Sequence, residues 1–372
     1  MKTTGLLLVI SLCGALFGSC GSNKQQTAEE TMTDRIENFS VKVPESSIQI
    51  YEDSYSRPVA AIIDGVECMV AYSPSLHCID IVSLDSIPSF KQIKLEGEGP
   101  NGVNQVNGIF YFDGSFILKC STGFCRIDHE GKMMSKWWMF DYLNEHEGYT
   151  LRFPEKFMVF NFFSNMGFDE VNGLVSLPLY RHEKENGQYP IRVLVLSCTD
   201  WQVVDEIDIS YPEQMKQEKW LGCLGEVQAL PYGNKLIYNF PASSDIFVYD
   251  RKNRTTHVHS IPTLYTESYY RCEDERDPGL GGGYFMPVRY DRFRNNFWRV
   301  QQKKNIGTGM AGKPFSISRL TEDFEVIKEY DIPERKDISS YSTLFLPDKV
   351  LFPYMGGEHI GMDNIAFYGI TL

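Results

Sequence analysis

Reactive side chains are sparse in this 372-residue sequence, and those present lack the spacing that most active sites need. Seven histidines, His77, His129, His146, His182, His257, His259 and His359, are scattered, with no HExxH pair among them. His257 and His259 stand two apart on what reads as an outer strand, so they share one face. No carboxylate-rich partner accompanies them, which leaves no zinc-type ligand set and implies no cofactor. The Gly-x-Ser-x-Gly nucleophile turn is absent. Asp128, Asp250 and Asp323 fall in short polar turns, where Asp bonds its own backbone. A carboxylate pair able to hydrolyse a glycosidic bond is a matter of spatial neighbours, and residue order does not supply those. Glu96-Gly97-Glu98-Gly99-Pro100-Asn101-Gly102 has the glycine density of an anion cradle. Its flanking carboxylates, a proline without an N–H and the missing P-loop lysine favour a connecting turn instead.

Cys20 is placed for a different chemistry. Met1 to Ser19 runs from a lysine through the apolar stretch Gly5 to Phe17 and on to small residues, the layout of a secretory signal. That stretch falls short of the roughly 20 apolar residues that span a bilayer. Gly18-Ser19-Cys20 resembles the lipobox of bacterial lipoproteins, with Phe17 where leucine is usual. The resemblance implies cleavage before Cys20 and acylation of its thiol, each buried CH₂ of the acyl chains adding about 0.8 kcal/mol of hold. The expected organisation is a signal peptide over 1–19, a lipidated N-terminus with a polar tether over 20–34, and one domain over 35–372. Seven further cysteines follow Cys20, an odd number that leaves at least one unpaired. Cys120 and Cys125 could face each other across a hairpin and permit a disulfide, while the others read as buried small hydrophobes.

The elements that must carry any site repeat along the chain. A short apolar strand, a polar turn and a departing strand recur around Ser83-Leu84-Asp85-Ser86, Asp128 to Lys132, Ser197 to Asp200, Asp250 to Arg254 and Thr321 to Asp323. Another strand pair precedes each phrase, as in Gly108 to Phe112 with Ser115 to Lys119, and Val227 to Leu230 with Lys235 to Asn239. Units of four antiparallel strands, repeated radially, predict an all-β six-bladed β-propeller. The last unit has only three strands of its own. An N-terminal strand, Ser47 to Tyr51, is expected to supply the fourth and close the ring, which removes open sheet edges.

Composition agrees, with 24 Phe, 21 Tyr, 30 Gly and 18 Pro favouring many short strands and turns. A net charge of −13 argues against nucleic acid as a partner. Ile93 to Gly102, with its Glu98-Gly99-Pro100-Asn101-Gly102 run, resembles a segment of the DUF4221 group of Bacteroidetes lipoproteins, six-bladed TolB-like propellers of unknown function. The resemblance implies a fold and a cell-envelope setting, with the outer membrane as the expected anchor point, and it supplies no activity. In a propeller the second strand of each blade ends on one face, so Asn161, Asn239, Arg299 and Tyr354 are expected to converge on a polar ligand. The predicted function is binding of a glycan, peptide or envelope protein. A carbohydrate-active hydrolase or lyase working in the propeller channel is the alternative.

Overall fold

The computed structural model describes residues 34–42, 58–84, 89–151, 166–185, 187–272, 282–304, 314–332, 342–354 and 364–372. Six antiparallel sheets follow one another as the blades of a propeller ring. Blade 1 holds Val59–Ile63, Val66–Ser73, Cys78–Ser83 and Phe90–Lys94. Blade 2 holds Val106–Phe112, Ser115–Cys120, Gly123–Ile127 and Met133–Trp138. In blade 3 the first strand is split into Tyr149–Thr150 and Phe168–Asp169, and Leu174–Arg181, Ile191–Ser197 and Val203–Ile209 follow. Gln228–Tyr232, Lys235–Asn239, Ile246–Asp250 and Thr255–His259 make blade 4. Blade 5 also has a split first strand, Tyr284–Phe285 with Arg289–Asp291, before Asn296–Gln302, Phe315–Leu320 and Val326–Ile332.

Blade 6 is built from both ends of the domain. Leu344–Phe345, Lys349–Pro353 and Asn364–Thr371 come from the C-terminal side, and Arg35–Lys42 pairs with Asn364–Thr371 as the outermost strand. Closure by an N-terminal strand is therefore present, but the strand lies earlier than Ser47 to Tyr51. That segment falls outside the described residues, and Arg35-Ile36-Glu37-Asn38-Phe39-Ser40-Val41-Lys42 supplies an eight-residue register where five were expected. Tyr354 donates its hydroxyl to Asn38 Oδ1 at 2.6 Å, tying the closing strand to the blade's second strand.

Burial explains which residues form which strand. Second and third strands are covered on both faces and read as apolar runs, such as Val193-Leu194-Val195-Leu196. Outer strands alternate, and Val203–Ile209 buries only Ile207 and Ile209. The apolar cores lie in the seams between blades. One joins Val70 and Ile79 of blade 1 to Ile109 and Phe116 of blade 2, and another joins blade 6 to blade 1. Glu98 to Gly102 is a strap across such a seam. Within it the Gly102 N–H bonds Gly99 O, while Asn101 Oδ1 and Gly102 O accept from Met133 N and Lys136 Nζ of blade 2. Gly99 sits at φ 86°, where a side chain would be strained. The sharpest sequence motif is thus architectural.

Asp128 and Asp250 are turn-makers, each accepting two backbone N–H groups of its own turn, whereas Thr321 does this work near Asp323. The sulfurs of Cys120 and Cys125 lie 3.7 Å apart as buried free thiols. Among the described residues no helix is long and apolar enough to cross a membrane.

Candidate functional site

The first strands surround the propeller axis, and the space between them is a pocket. All six blades line it, through residues such as Ala60, Tyr111, Glu170, Gln228, Arg289 and Phe345. The cavity measures about 110 Å³. It continues into a wider mouth of about 460 Å³ bounded by Ile62, Asp113, Gly114, Glu170 and Arg292. Those residues lie at or just past the ends of the first strands, so the mouth opens on the face that carries the first-to-second-strand hairpins. At the mouth the Glu170 carboxylate meets the Arg292 guanidinium at 3.2 Å, a bridge between blades 3 and 5. Burial pushes the Glu170 carboxyl above its usual range, and Arg292 opposes that rise. Aromatic rings supply much of the remaining wall. Tyr111 donates to or accepts from His129 Nε2 at 3.1 Å, and Tyr232 packs on Tyr290 at 4.7 Å between centroids.

Two local features aim polar groups inward. The first strand of blade 3 approaches blade 4 so closely that a Cβ at Gly167 would sit 2.3 Å from Ala229 O. Only glycine permits that contact, which the Ser176 hydroxyl completes by donating to Ala229 O at 2.6 Å. Asp169, next in the same strand, accepts from its own turn at Val171 N, Asn172 N and Asn172 Nδ2, and from Gly233 N of blade 4. Its carboxylate is fully engaged. In blade 5 the first strand breaks at Met286-Pro287-Val288, where proline has no N–H for a ladder. Past the break the chain re-enters the sheet at Arg289, which is half-buried and lines the axial cavity. Such interruptions commonly re-aim a side chain.

Asn239 governs this region. It is buried, donates to Gln228 Oε1 at 2.8 Å and to Met286 O at 3.3 Å, and accepts from Val288 N at 3.4 Å. One amide therefore fixes both the orientation of Gln228 and the break before Arg289. With its carbonyl taken by Asn239, the Gln228 amide nitrogen is buried without a partner. Arg299 is also buried. Its Nη1 donates to Ser244 O at 2.7 Å and its guanidinium lies 4.7 Å from the Phe285 ring centroid, while Nε and Nη2 have no partner. Arg299 and Arg289 share a small void of about 10 Å³, roughly the space of one water, beside the axial cavity. Burial lowers Arg289 from the usual guanidinium range with nothing opposing it. It lowers Arg299 to about 9, partly offset by Asp245 and Glu329.

Of the four residues expected at second-strand ends, Asn239 and Arg299 come together, touching Met286 and Phe285 in consecutive positions. Tyr354 lies in blade 6 and serves the closing strand. Asn161 falls outside the described residues, as does Cys20. Blade 3's second strand is Leu174–Arg181 and not a strand around Asn161. Gln228, Arg289, Glu170, Arg292 and Tyr111 were not anticipated. They sit on first strands or, for Glu170 and Arg292, immediately past the end of one, and the signal that could have found them is the glycine- or asparagine-bearing turn that follows each first strand. Among the described residues no group of three His, Cys, Asp or Glu could hold a metal ion.

A family model described as a domain of unknown function, DUF4221, matches residues 61–331. No curated protein matches. A crystal structure of a DUF4221 family member from Bacteroides vulgatus superposes with a TM-score of 0.65 at 15% identity, covering 91% of this chain and 98% of that one. A luciferin-regenerating enzyme gives 0.47 at 10% identity, over 90% and 96% of the two chains. Virginiamycin B lyase from Staphylococcus aureus gives 0.41 at 12%, over 91% and 100%. At these identities the likeness is one of fold.

Proposed function

The chain belongs to the DUF4221 family, and on that premise we propose that it is a lipid-anchored propeller of the cell envelope that binds a polar ligand in its axial pocket. The observation that carries this reading is a single cavity lined by all six blades, with tyrosines and paired or unpaired arginines in its wall. Aromatic faces and guanidinium groups in one concave site suit a glycan or a peptide, since both offer flat or apolar surface beside hydrogen-bonding groups. The charge of −13 turns nucleic acid away. Cys20 carries the lipid, and the outer membrane is the anchor point.

One feature favours the hydrolase or lyase reading: the raised Glu170 carboxyl, as a general acid would need. Two-carboxylate chemistry needs a second free group, and Asp169 is committed to its turn. Binding is therefore the better-supported function.

A screen of glycan and peptide libraries with wild type and with a Tyr111→Ala, Arg292→Ala double variant tests the site. Retained wild-type ligands should be lost from the variant, each anchor contributing roughly 2 kcal/mol. Equal binding by both chains, or release of reducing ends from a bound glycan, would overturn the reading. Separately, Cys20→Ala should abolish incorporation of a fatty-acid label, and label in both proteins would refute the anchor.

A further inference from the structure

The floor of the axial pocket is made of donors. Gln228 presents an amide N–H₂ group with no acceptor, and Arg289 presents a guanidinium that has no ion-pair partner among the described residues. Arg299 adds two unpaired nitrogens in the adjoining void. Buried donors are almost always satisfied, and an exception calls for an explanation. A buried cation without a counter-charge is costlier still. Two other arginines of blade 5 are fully paired. Arg292 has Glu170, and Arg294 has Asp291 together with the carbonyls of Leu346 and Pro347.

The unpaired donors are also built in. Asn239 uses its amide to hold Gln228 by the oxygen, which turns the nitrogen out, and it pins the break that delivers Arg289. A water in the void could serve Arg299, but it carries no charge for Arg289. We propose that the axial pocket takes a ligand through an oxyanion, a carboxylate or a phosphate, seated on Arg289 and the Gln228 amide with Arg299 behind. Its non-ionic part would lie toward the mouth, against Tyr111, Tyr232 and Tyr290. This rests on the reading of the axial pocket as a ligand site, and it narrows the ligand to an acidic one such as a uronic-acid glycan, an acidic peptide or a phosphorylated sugar.

The test titrates the full chain with sodium phosphate and, separately, sodium acetate. Ionic strength is matched with sodium chloride, and a neutral hexose serves as control. Calorimetry and the thermal midpoint are read for wild type, Arg289→Met and Gln228→Leu. At least one anion should bind saturably to wild type and about 10- to 100-fold more weakly to Arg289→Met, the range for hydrogen bonds to a charged group. Gln228→Leu should show a smaller loss for the same anion. The arm that responds, acetate or phosphate, tells the carboxylate from the phosphate source. If one variant fails to fold, the other decides. No anion binding by wild type, or equal binding by wild type and the folded variants, overturns the inference. Loss of a neutral glycan in Tyr111→Ala without any anion response would keep the pocket and remove only its acidic preference.

Discussion

Arg126 in the third strand of blade 2 and Arg299 in the second strand of blade 5 are both buried, yet their surroundings differ. Arg126 finds its partners within its own blade: Ser115 Oγ at 2.7 Å, Asp113 Oδ2 at 3.0 Å and the Asp113 carbonyl at 3.3 Å. Arg299 donates across a seam to one carbonyl and leaves two nitrogens bare. The two sheets differ in their first strand, which is continuous in blade 2 and split in blade 5. The contrast follows position: Arg289 lines the axial cavity and Arg299 the small void beside it, while Arg126 anchors a hairpin. A satisfied buried arginine is structure, and an unsatisfied one beside a cavity is a place kept for something else.

Breaking the satisfied one should have the larger effect. Arg126→Met removes three hydrogen bonds and strips the buried Ser115 hydroxyl of its donor, so unfolding in urea should show a loss of about 1.5–3 kcal/mol. Arg299→Met removes one bond and an incompletely compensated charge, so stability should stay within about 1 kcal/mol of wild type or rise. An Arg299 loss as large as that of Arg126 would erase the contrast. The smallest effect concerns the mouth. The Glu170 carboxyl lies above its ordinary value of 4.5, so the folded state holds this proton more tightly than the unfolded chain. Its contribution to stability is present below the ordinary value and is lost as pH rises through the folded one. Arg292→Ala removes the opposing attraction and widens that window upward. From about pH 4 to pH 7 the variant should therefore lose more stability than wild type, by no more than about 1 kcal/mol, since the pair is partly solvated. An unchanged pH profile would place the pair outside any coupling.

Much of this architecture is visible in the residues. Ile246–Asp250 and Thr255–His259, joined by a turn that Asp250 makes, look the same in sequence and in space. Blade 3 hid itself for a physical reason. Pro178 interrupts Leu174–Arg181, and proline reads against a central strand. Among the described residues the first strand pairs at Tyr149–Thr150 and Phe168–Asp169, and none of them pairs with Pro178 on the inner edge, where a missing N–H interrupts no described ladder. The pocket was hidden for a similar reason. First strands such as Arg289–Asp291 are three residues or fewer in the split blades, too short to declare a period, and the break at Pro287 disguises them further. Asn239 and Arg299 could be found because they lie on second strands, whose apolar stretches Leu236-Ile237-Tyr238 and Phe297-Trp298 show in the sequence. What those strands steady, Gln228 and Arg289, could be found only once the blades stood side by side.

The closing strand also has a consequence in time. Arg35–Lys42 is synthesised before every other described strand, and its partner Asn364–Thr371 is the last of them. At roughly 5–20 residues per second, tens of seconds separate the two. Each of blades 1 to 5 is contiguous in sequence and can form once its own residues are free to fold. Blade 6 cannot, and until it does the edge of Asn364–Thr371 is open to any strand that meets it. Arrival of Asn364–Thr371, and not the making of any one blade, is therefore the event that seals the ring, and a chain truncated before Asn364 would remain unsealed.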